Sequence, residues 1–346
     1  MNEIKLNEVY KPKKDYKVIV KTITFNQSKY IQDTLNGVAM QKTSFPFVNI
    51  ILEDNSTDGE QKVIKTWLES NCDIYLAEYY DIPTANVIII PHKTNPNCTF
   101  AVYFHKENLF RKKAKREEQV NPWRVISKYE ALCEGDDYWI DPYKLQKQVD
   151  FLESNPDYSM CFHKANIINE LNRNVALKSY IIENRDYTAN ELFCNWIIPT
   201  ASMVYRKEVM SYPYKKLERM MNGDIVIVLT CASLGKIRGF NDTMSTYRIQ
   251  SKGVTYDEKL NKARTLKYPD HFLFIKENFP IVKSKYVNKS ISEAYFGRIF
   301  VQDTLSNKIK DLLLSFCFHP SIAIKGVLRY MTDKLNYNRT NKKRMD

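Results

Sequence analysis

The alternation of β-branched runs with stretches of helical periodicity constrains this chain more than any other feature. Val18 to Phe25 reads as a strand and is followed by an Asn26-Gln27-Ser28 turn and cap; Tyr30, Ile31, Leu35, Val38 and Ala39 then recur at helical spacing. Phe47 to Leu52 is a second strand, residues 60–69 a second helix with Val63, Ile64, Trp67 and Leu68 inward, and Val87 to Ile90 a third strand. Strand, helix, strand, helix, strand in that order predicts a parallel α/β half-sheet.

Residues 91–127 break the rhythm, with Pro96, a predicted helix from Thr99 to about Glu118, and Asn121-Pro122-Trp123. The pattern then resumes with a strand at 129–133, a helix at 142–154, a strand at 158–168 and an irregular polar stretch to Arg185. A helix at 188–196, a strand at 197–205, a helix at 223–234 and a strand at 236–247 complete a catalytic domain over 1–256. From 257 to 346 the pattern is that of a helical C-terminal extension, with helices at 258–278, 284–305, 306–318 and 321–335 punctuated by Pro269, Pro280 and Pro320.

Two turns gather the polar chemistry. Glu53-Asp54-Asn55-Ser56-Thr57-Asp58-Gly59 follows the second strand and is rich in groups that bind a nucleoside. Glu134-Gly135-Asp136-Asp137 sets two adjacent carboxylates at the carboxyl end of the strand at 129–133, where open α/β sheets bind ligands. A metal–diphosphate site and a plain capped turn are both open readings of that pair, since Asp141-Pro142 is ordinary helix-start chemistry.

The net charge of +12, 52 basic against 40 acidic residues, favours anionic partners without choosing among nucleotides, nucleic acid and an acidic membrane surface. Basic clusters at 11–17, 111–116 and 342–344 fit solvated faces. The seven cysteines are scattered with no Cys-x-x-Cys pair, which predicts reduced thiols and a cytoplasmic setting. Met1 to Lys17 has no apolar core and does not read as a secretory signal, and no run approaches the roughly 20 apolar residues of a spanning helix. Residues 306–335 combine leucines, isoleucines and phenylalanines with Lys325, Arg329 and Lys334, which suits either packing on the catalytic domain or peripheral contact with a membrane.

Taken in order, Thr24-Phe25-Asn26, the 53–59 turn, Glu134-Gly135-Asp136-Asp137-Tyr138-Trp139 and Asn222-Gly223-Asp224 form a pattern. The chain resembles the family 2 glycosyltransferases of the GT-A fold, in particular bacterial enzymes that build surface polysaccharides, over roughly residues 16–250. That resemblance implies a mixed, mainly parallel sheet flanked by helices, with a nucleotide-sugar-binding part over about 16–142 and an acceptor part over about 143–256. It also implies a nucleotide-sugar donor, most readily a UDP-sugar, a glycan or lipid-linked glycan acceptor, a divalent cation (Mn²⁺ or Mg²⁺) and inversion at the sugar. Thr24, Phe25 and Asn26 would line the nucleoside and Asp54 would hydrogen-bond the base. Asp137 would ligate the cation, Asp136 would face the ribose or sugar, and Asp224 would be the general base. Where many relatives have a histidine after the last core strand, Tyr247-Arg248-Ile249 is followed by Gln250, a neutral oxygen ligand for the cation.

The chemistry of glycosyl transfer suits these groups. Negative charge builds on the departing diphosphate, where a hard cation stabilises it, and a carboxylate accepts the acceptor's proton. Asp224 precedes the apolar run Ile225, Val226, Val228 and Leu229, so a helix cap is its other reading. Trp139, beside the carboxylates, is expected to stack on an acceptor sugar, with sealing the turn as its other reading, His163 to be a core histidine, and Arg248 to meet a phosphate or a carboxylate. A nucleotidyltransferase that makes nucleotide sugars is the enzymatic alternative, although Asn26-Gln27-Ser28-Lys29 replaces the glycine- and arginine-rich loop such enzymes carry. A nucleic-acid-binding protein is suggested by charge alone, with no zinc spacing or RNA-binding aromatic pattern, so no nucleic-acid partner is expected.

Overall fold

The computed structural model describes residues 15–110, 113–170, 181–250 and 258–342. The basic clusters at 11–17, 111–116 and 342–344 fall partly outside those residues, as does much of the polar stretch before Arg185. The chain forms two compact units, one of 1–188, 196–212 and 234–250, the other of 189–195, 213–233 and 251–346. The extension expected from 257 is thus joined by two excursions from the middle of the chain.

The first unit is built on β1 (Val18–Thr24), α1 (Ile31–Ala39), β2 (Phe47–Glu53) and α2 (Glu60–Asn71), as the periodicities predict. It continues through β3 (Glu78–Ile82), β4 (Ala85–Pro91), β5 (Cys98–His105), α3 (Lys113–Val125), β6 (Tyr129–Leu132), β7 (Tyr138–Trp139), α4 (Lys144–Ser154), β8 (Tyr158–Asn169), β9 (Val204–Arg206) and β10 (Lys236–Ile249). The described strands form one ten-stranded sheet in the order β3-β4-β5-β2-β1-β6-β9-β8-β10-β7. β5, β2, β1 and β6 run parallel, as do β8 and β10; the remaining pairings are antiparallel.

Helices cover both faces of this sheet. Val18 and Val20 pack with Ile31 and Leu35 of α1, Ile64 and Trp67 of α2, and Leu145 and Val149 of α4, while Ile19, Val48 and Ile50 pack with Val120 and Trp123 of α3. Because both faces are buried, β2 and β5 carry no exposed residue at all. α3 is also tied down by charge: Arg124 chelates Glu130 of β6 at 2.7 and 3.0 Å and meets Glu117 at 2.7 Å, and Lys21 of β1 reaches Glu117 at 3.2 Å. The chelated pair is buried, so removing either partner would strand a charge away from water.

Three expectations are corrected. Residues 98–105 are strand β5 rather than the start of a helix, since Thr99 to His105 is a β-branched and aromatic run buried between β2 and β4; the helix begins only at Lys113. Val87 to Ile90 lies in β4, an antiparallel edge hairpin with β3, and β5 takes the parallel place beside β2. Of the strand expected at 197–205, only Val204–Arg206 pairs, because Pro199 leads into a 3₁₀ turn at 200–202.

The second unit is helical: α5 (Ala189–Cys194), α6 (Gly223–Leu234), α7 (Glu258–Asn278), α8 (Ser284–Arg298), α9 (Leu305–Phe318) and α10 (Pro320–Lys342). The Thr304 hydroxyl caps α9 at the Asn307 amide, and Pro320 takes the first position of α10, where its missing N–H costs nothing. Ser292 and Ser315 pair at 2.9 Å between α8 and α9, and Arg298 chelates the buried Asp311 at 2.9 and 2.6 Å. A β-carbon on Gly326 would lie 2.6 Å from the Phe296 ring, so glycine lets α10 close on α8.

Candidate functional site

The parallel register brings the ends of β1, β2 and β6 together. Thr24 pairs with Glu53, and β6 runs beside β1 from Val18↔Tyr129 to Lys21↔Leu132. Past Leu132 the chain keeps hydrogen-bonding along β1, from the Cys133 amide to Lys21 O and from the Gly135 amide to Ile23 O. The aspartate turn is therefore held against the carboxyl end of β1, the position where α/β sheets bind ligands.

The two aspartates are fixed differently. The Arg248 amide donates to Asp137 Oδ1 at 2.9 Å, while Asp137 Oδ2, equally buried, has no hydrogen-bond partner. Burial first, and then the neighbouring Asp136, push the Asp137 carboxyl well above the usual carboxylate range. Asp136 is half-buried and also raised, chiefly by burial; its Oδ2 accepts from Gln250 Nε2 at 2.6 Å. The Arg248 side chain reaches Asp136 O at 3.0 Å, forms an ion pair with Asp33, and lies 5.0 Å from the Tyr30 ring centre and 4.6 Å from that of Tyr138. From α1, Thr34 Oγ1 lies 2.6 Å from Asp137 O.

Asp137 thus supplies an unused, buried, hard oxygen. A carboxylate so placed needs a proton or a cation, and its chemistry suits Mg²⁺ or Mn²⁺. No group of three His, Cys, Asp or Glu side chains converges among the described residues. That is compatible with a cation held by one or two carboxylates and completed by diphosphate and water.

The neighbouring loops form a network that the sequence reading did not single out. Glu60, fully buried at the start of α2, accepts the Gln27 amide at 3.0 Å and the Ser56 hydroxyl at 2.8 Å, and the Thr24 hydroxyl also donates to it. Burial raises the Glu60 carboxyl. Asn26 sits in the left-handed region at φ 54°, with its Oδ1 accepting the Thr57 amide at 2.7 Å, while Phe25 stays exposed. A glutamate directly after Asp58-Gly59 was the available signal, because there it joins the 53–59 turn to the 24–28 loop.

Asp54 is buried beyond β2. Its Oδ1 lies 3.1 Å from His105 Nδ1 and accepts the Leu109 amide at 2.6 Å, and Arg116 approaches its Oδ2 at 3.9 Å. These partners come from the stretch read as an excursion. Trp139 corrects an expectation: its ring is 1% exposed, its Nε1 donates to Ala201 O at 2.9 Å, and Lys144 Nζ stands 4.1 Å from the ring centre. Gly37 of α1 lies against its backbone, where a β-carbon would come within 2.8 Å of Trp139 N and O. The indole is sealed inside the first unit and has no face for an acceptor. His163 is a core residue, wholly buried with Nδ1 2.9 Å from Lys164 O. Asp224 lies half-buried in the first turn of α6, in the second unit.

No family model matches the chain. Uncharacterized proteins of Mycobacterium tuberculosis and Mycobacterium bovis are 31% identical to it over 234 residues, 67% of this chain and 59% of theirs, so the chain spans about three-fifths of the length of the curated relatives it matches. Among solved structures, Staphylococcus aureus TarS 1–349 in complex with UDP matches with a TM-score of 0.52 at 12% identity, covering 89% of this chain and 82% of that one. A second crystal structure of TarS 1–349 matches with a TM-score of 0.51, at the same identity and coverage. The mixed, mainly parallel sheet flanked by helices is of the GT-A type.

Proposed function

We propose that the protein is a glycosyltransferase that moves a sugar from a nucleotide-sugar donor, a UDP-sugar foremost, to an acceptor hydroxyl with inversion. The observation that carries this reading is the buried, unpartnered Asp137 Oδ2 on a turn at the carboxyl ends of β1 and β6. The likeness of the fold to TarS, solved with UDP, supports it.

In this reading Thr24, Phe25 and Asn26 line the nucleoside, with the Glu60 network holding their loop, and Asp54 recognises the base with Arg116 beside it. Asp137 holds a divalent cation, Mn²⁺ or Mg²⁺, with Asp136 toward the ribose or sugar and Gln250 as a further oxygen ligand. When bound there, the cation offsets the negative charge that develops on the departing diphosphate. Gln250 would then turn its amide oxygen inward, giving up the bond its nitrogen makes with Asp136. Asp224 accepts the proton of the attacking hydroxyl; this role rests on the Asn222-Gly223-Asp224 motif. The acceptor is a glycan or lipid-linked glycan of a bacterial surface polysaccharide, and the setting is the cytoplasmic face of a membrane.

The test is thermal unfolding of the full chain with UDP, GDP and ADP, each with and without Mn²⁺. A rise in Tm for UDP that requires Mn²⁺ and is lost in Asp137→Ala supports the reading, because a ligand that binds only the native state raises its melting temperature. A rise that survives in Asp137→Ala overturns the cation assignment, and no rise with any nucleotide overturns the donor assignment.

A further inference from the structure

α9 turns two polar groups inward: Asp311 is 1% exposed and clamped by Arg298, and Ser315 is buried against Ser292. Outside, α9 and α10 each carry an apolar stripe beside exposed bases. On α9, Leu305, Ile309 and Leu313, at successive intervals of four, are 73%, 51% and 61% exposed; on α10, Ile324, Leu328 and Met331 are 48%, 58% and 57% exposed. Such spacing places each trio along one side of its helix.

The charges around these stripes are mainly basic. From Asp303 to Asp333 the carboxylates are Asp303, exposed beside Lys262, Asp311, already buried and paired, and Asp333 at the far end, whereas Lys310, Lys325 and Arg329 are exposed and Lys308 is half-exposed. Two copies meeting through this surface would bring like charges together. A bilayer carrying anionic headgroups would accept the leucine and isoleucine side chains and neutralise the bases at once. No helix among the described residues is long and apolar enough to cross a membrane, so the contact is one that lies in the interface.

We infer that the outer surface of α9 and α10 is a docking site for an anionic lipid bilayer. The inference rests on the reading of the protein as one that works at a membrane face, and it is independent of the donor site. Leu305, Ile309, Leu313, Leu328 and Met331 enter the headgroup boundary while Lys310, Lys325 and Arg329 hold the lipid phosphates.

The experiment is co-sedimentation of the full chain with vesicles of phosphatidylcholine alone or mixed with phosphatidylserine. The expected result is pelleting with the mixed vesicles only, weakening as salt is raised, because headgroup attraction is screened. The variant Leu313→Glu/Leu328→Glu and the charge variant Lys310→Glu/Lys325→Glu/Arg329→Glu should each lower the bound fraction by about 10-fold or more, with Tm and the UDP-induced shift unchanged. Unaltered binding in both variants overturns the assignment of the surface. So does a chain that ignores vesicles and elutes as a dimer which Leu313→Glu/Leu328→Glu dissociates. A wild-type chain that binds vesicles but shows no nucleotide shift separates the two readings, sparing the docking surface and removing the donor site.

Discussion

The backbone of Gly135 lies so close to the side chain of Thr24 that a β-carbon at position 135 would overlap the threonine hydroxyl and the Gln27 amide oxygen, and would approach Thr24 Cβ to 2.6 Å. The aspartate turn and the 24–28 loop are thus pressed together, and only glycine permits it. Gly135→Ala should destabilise the protein by about 1–3 kcal/mol, the usual cost of overpacking, and weaken nucleotide binding by displacing Thr24. Urea unfolding with an unchanged m-value and a titration of UDP would check both effects.

Asp137 gives a pH prediction. Its carboxyl is raised in the folded state from an ordinary value of 3.8, so the native protein holds a proton there that the unfolded chain releases. The stability this group contributes is complete below that ordinary value and is lost as the pH rises through the raised one. A cation must displace the same proton, so the Mn²⁺-induced rise in Tm should be larger at mildly alkaline pH than at a pH near the ordinary carboxylate value. Asp137→Asn should abolish that rise and flatten the metal-free pH dependence. Calorimetric scans with Mn²⁺ or chelator at the two pH values would measure each.

Lys144 behaves in the opposite sense. It is fully buried against Trp139 and Gln148, and burial pulls its ammonium from 10.5 down to about 7. The penalty on the native state is complete below pH 7 and is relieved between pH 7 and 10.5, where the folded chain is neutral and the unfolded chain still charged. Lys144→Met should therefore stabilise by about 1–3 kcal/mol at pH 6, less the cation–π contact it removes, and by less at pH 9. Chemical denaturation at both pH values decides it, and equal gains would show that the lysine carries no charge penalty.

Asp224 is tested by two substitutions. Asn caps a helix about as well as Asp but takes no proton, so Asp224→Asn should cut transfer by roughly 10²–10⁴-fold with donor affinity and Tm kept. A residue that only caps would instead show normal turnover as Asn and about 1 kcal/mol of lost stability as Ala. Single-turnover rates and melting curves for both variants separate the two roles.

β1, β2 and the helices after them were legible because their apolar residues follow helical or strand spacing and their turns carry punctuating Asn, Asp and Gly. β5 was not, since a strand buried on both faces has no alternation and resembles a buried helix. β3 escaped because Tyr79 is exposed and Ile82 is its one buried residue, which leaves little core signal, so β4 was read as a strand without its hairpin partner. At the site, the two carboxylate turns were visible as local motifs. The partners of Asp54, at His105 and Leu109, are 51 and 55 residues away, and nothing local announces them. Trp139 was misread for a related reason: its neighbours Gly37 and Ala201 come from distant segments and decide which way the indole faces.

β7 pairs with β10, and the Arg248 amide and Gln250 side chain that hold the two aspartates come from that strand's far end. During synthesis the aspartate turn therefore leaves the ribosome more than a hundred residues ahead of the groups that fix it. At about 5–20 residues per second, roughly 6–22 s pass before they can meet. Over that interval β5, β2, β1 and β6 can pair but β10 is missing, so the place it takes beside β7 is an open edge and Asp137 remains hydrated. A nascent chain arrested before Arg248 should expose that edge to chaperones and gain no protection from nucleotide.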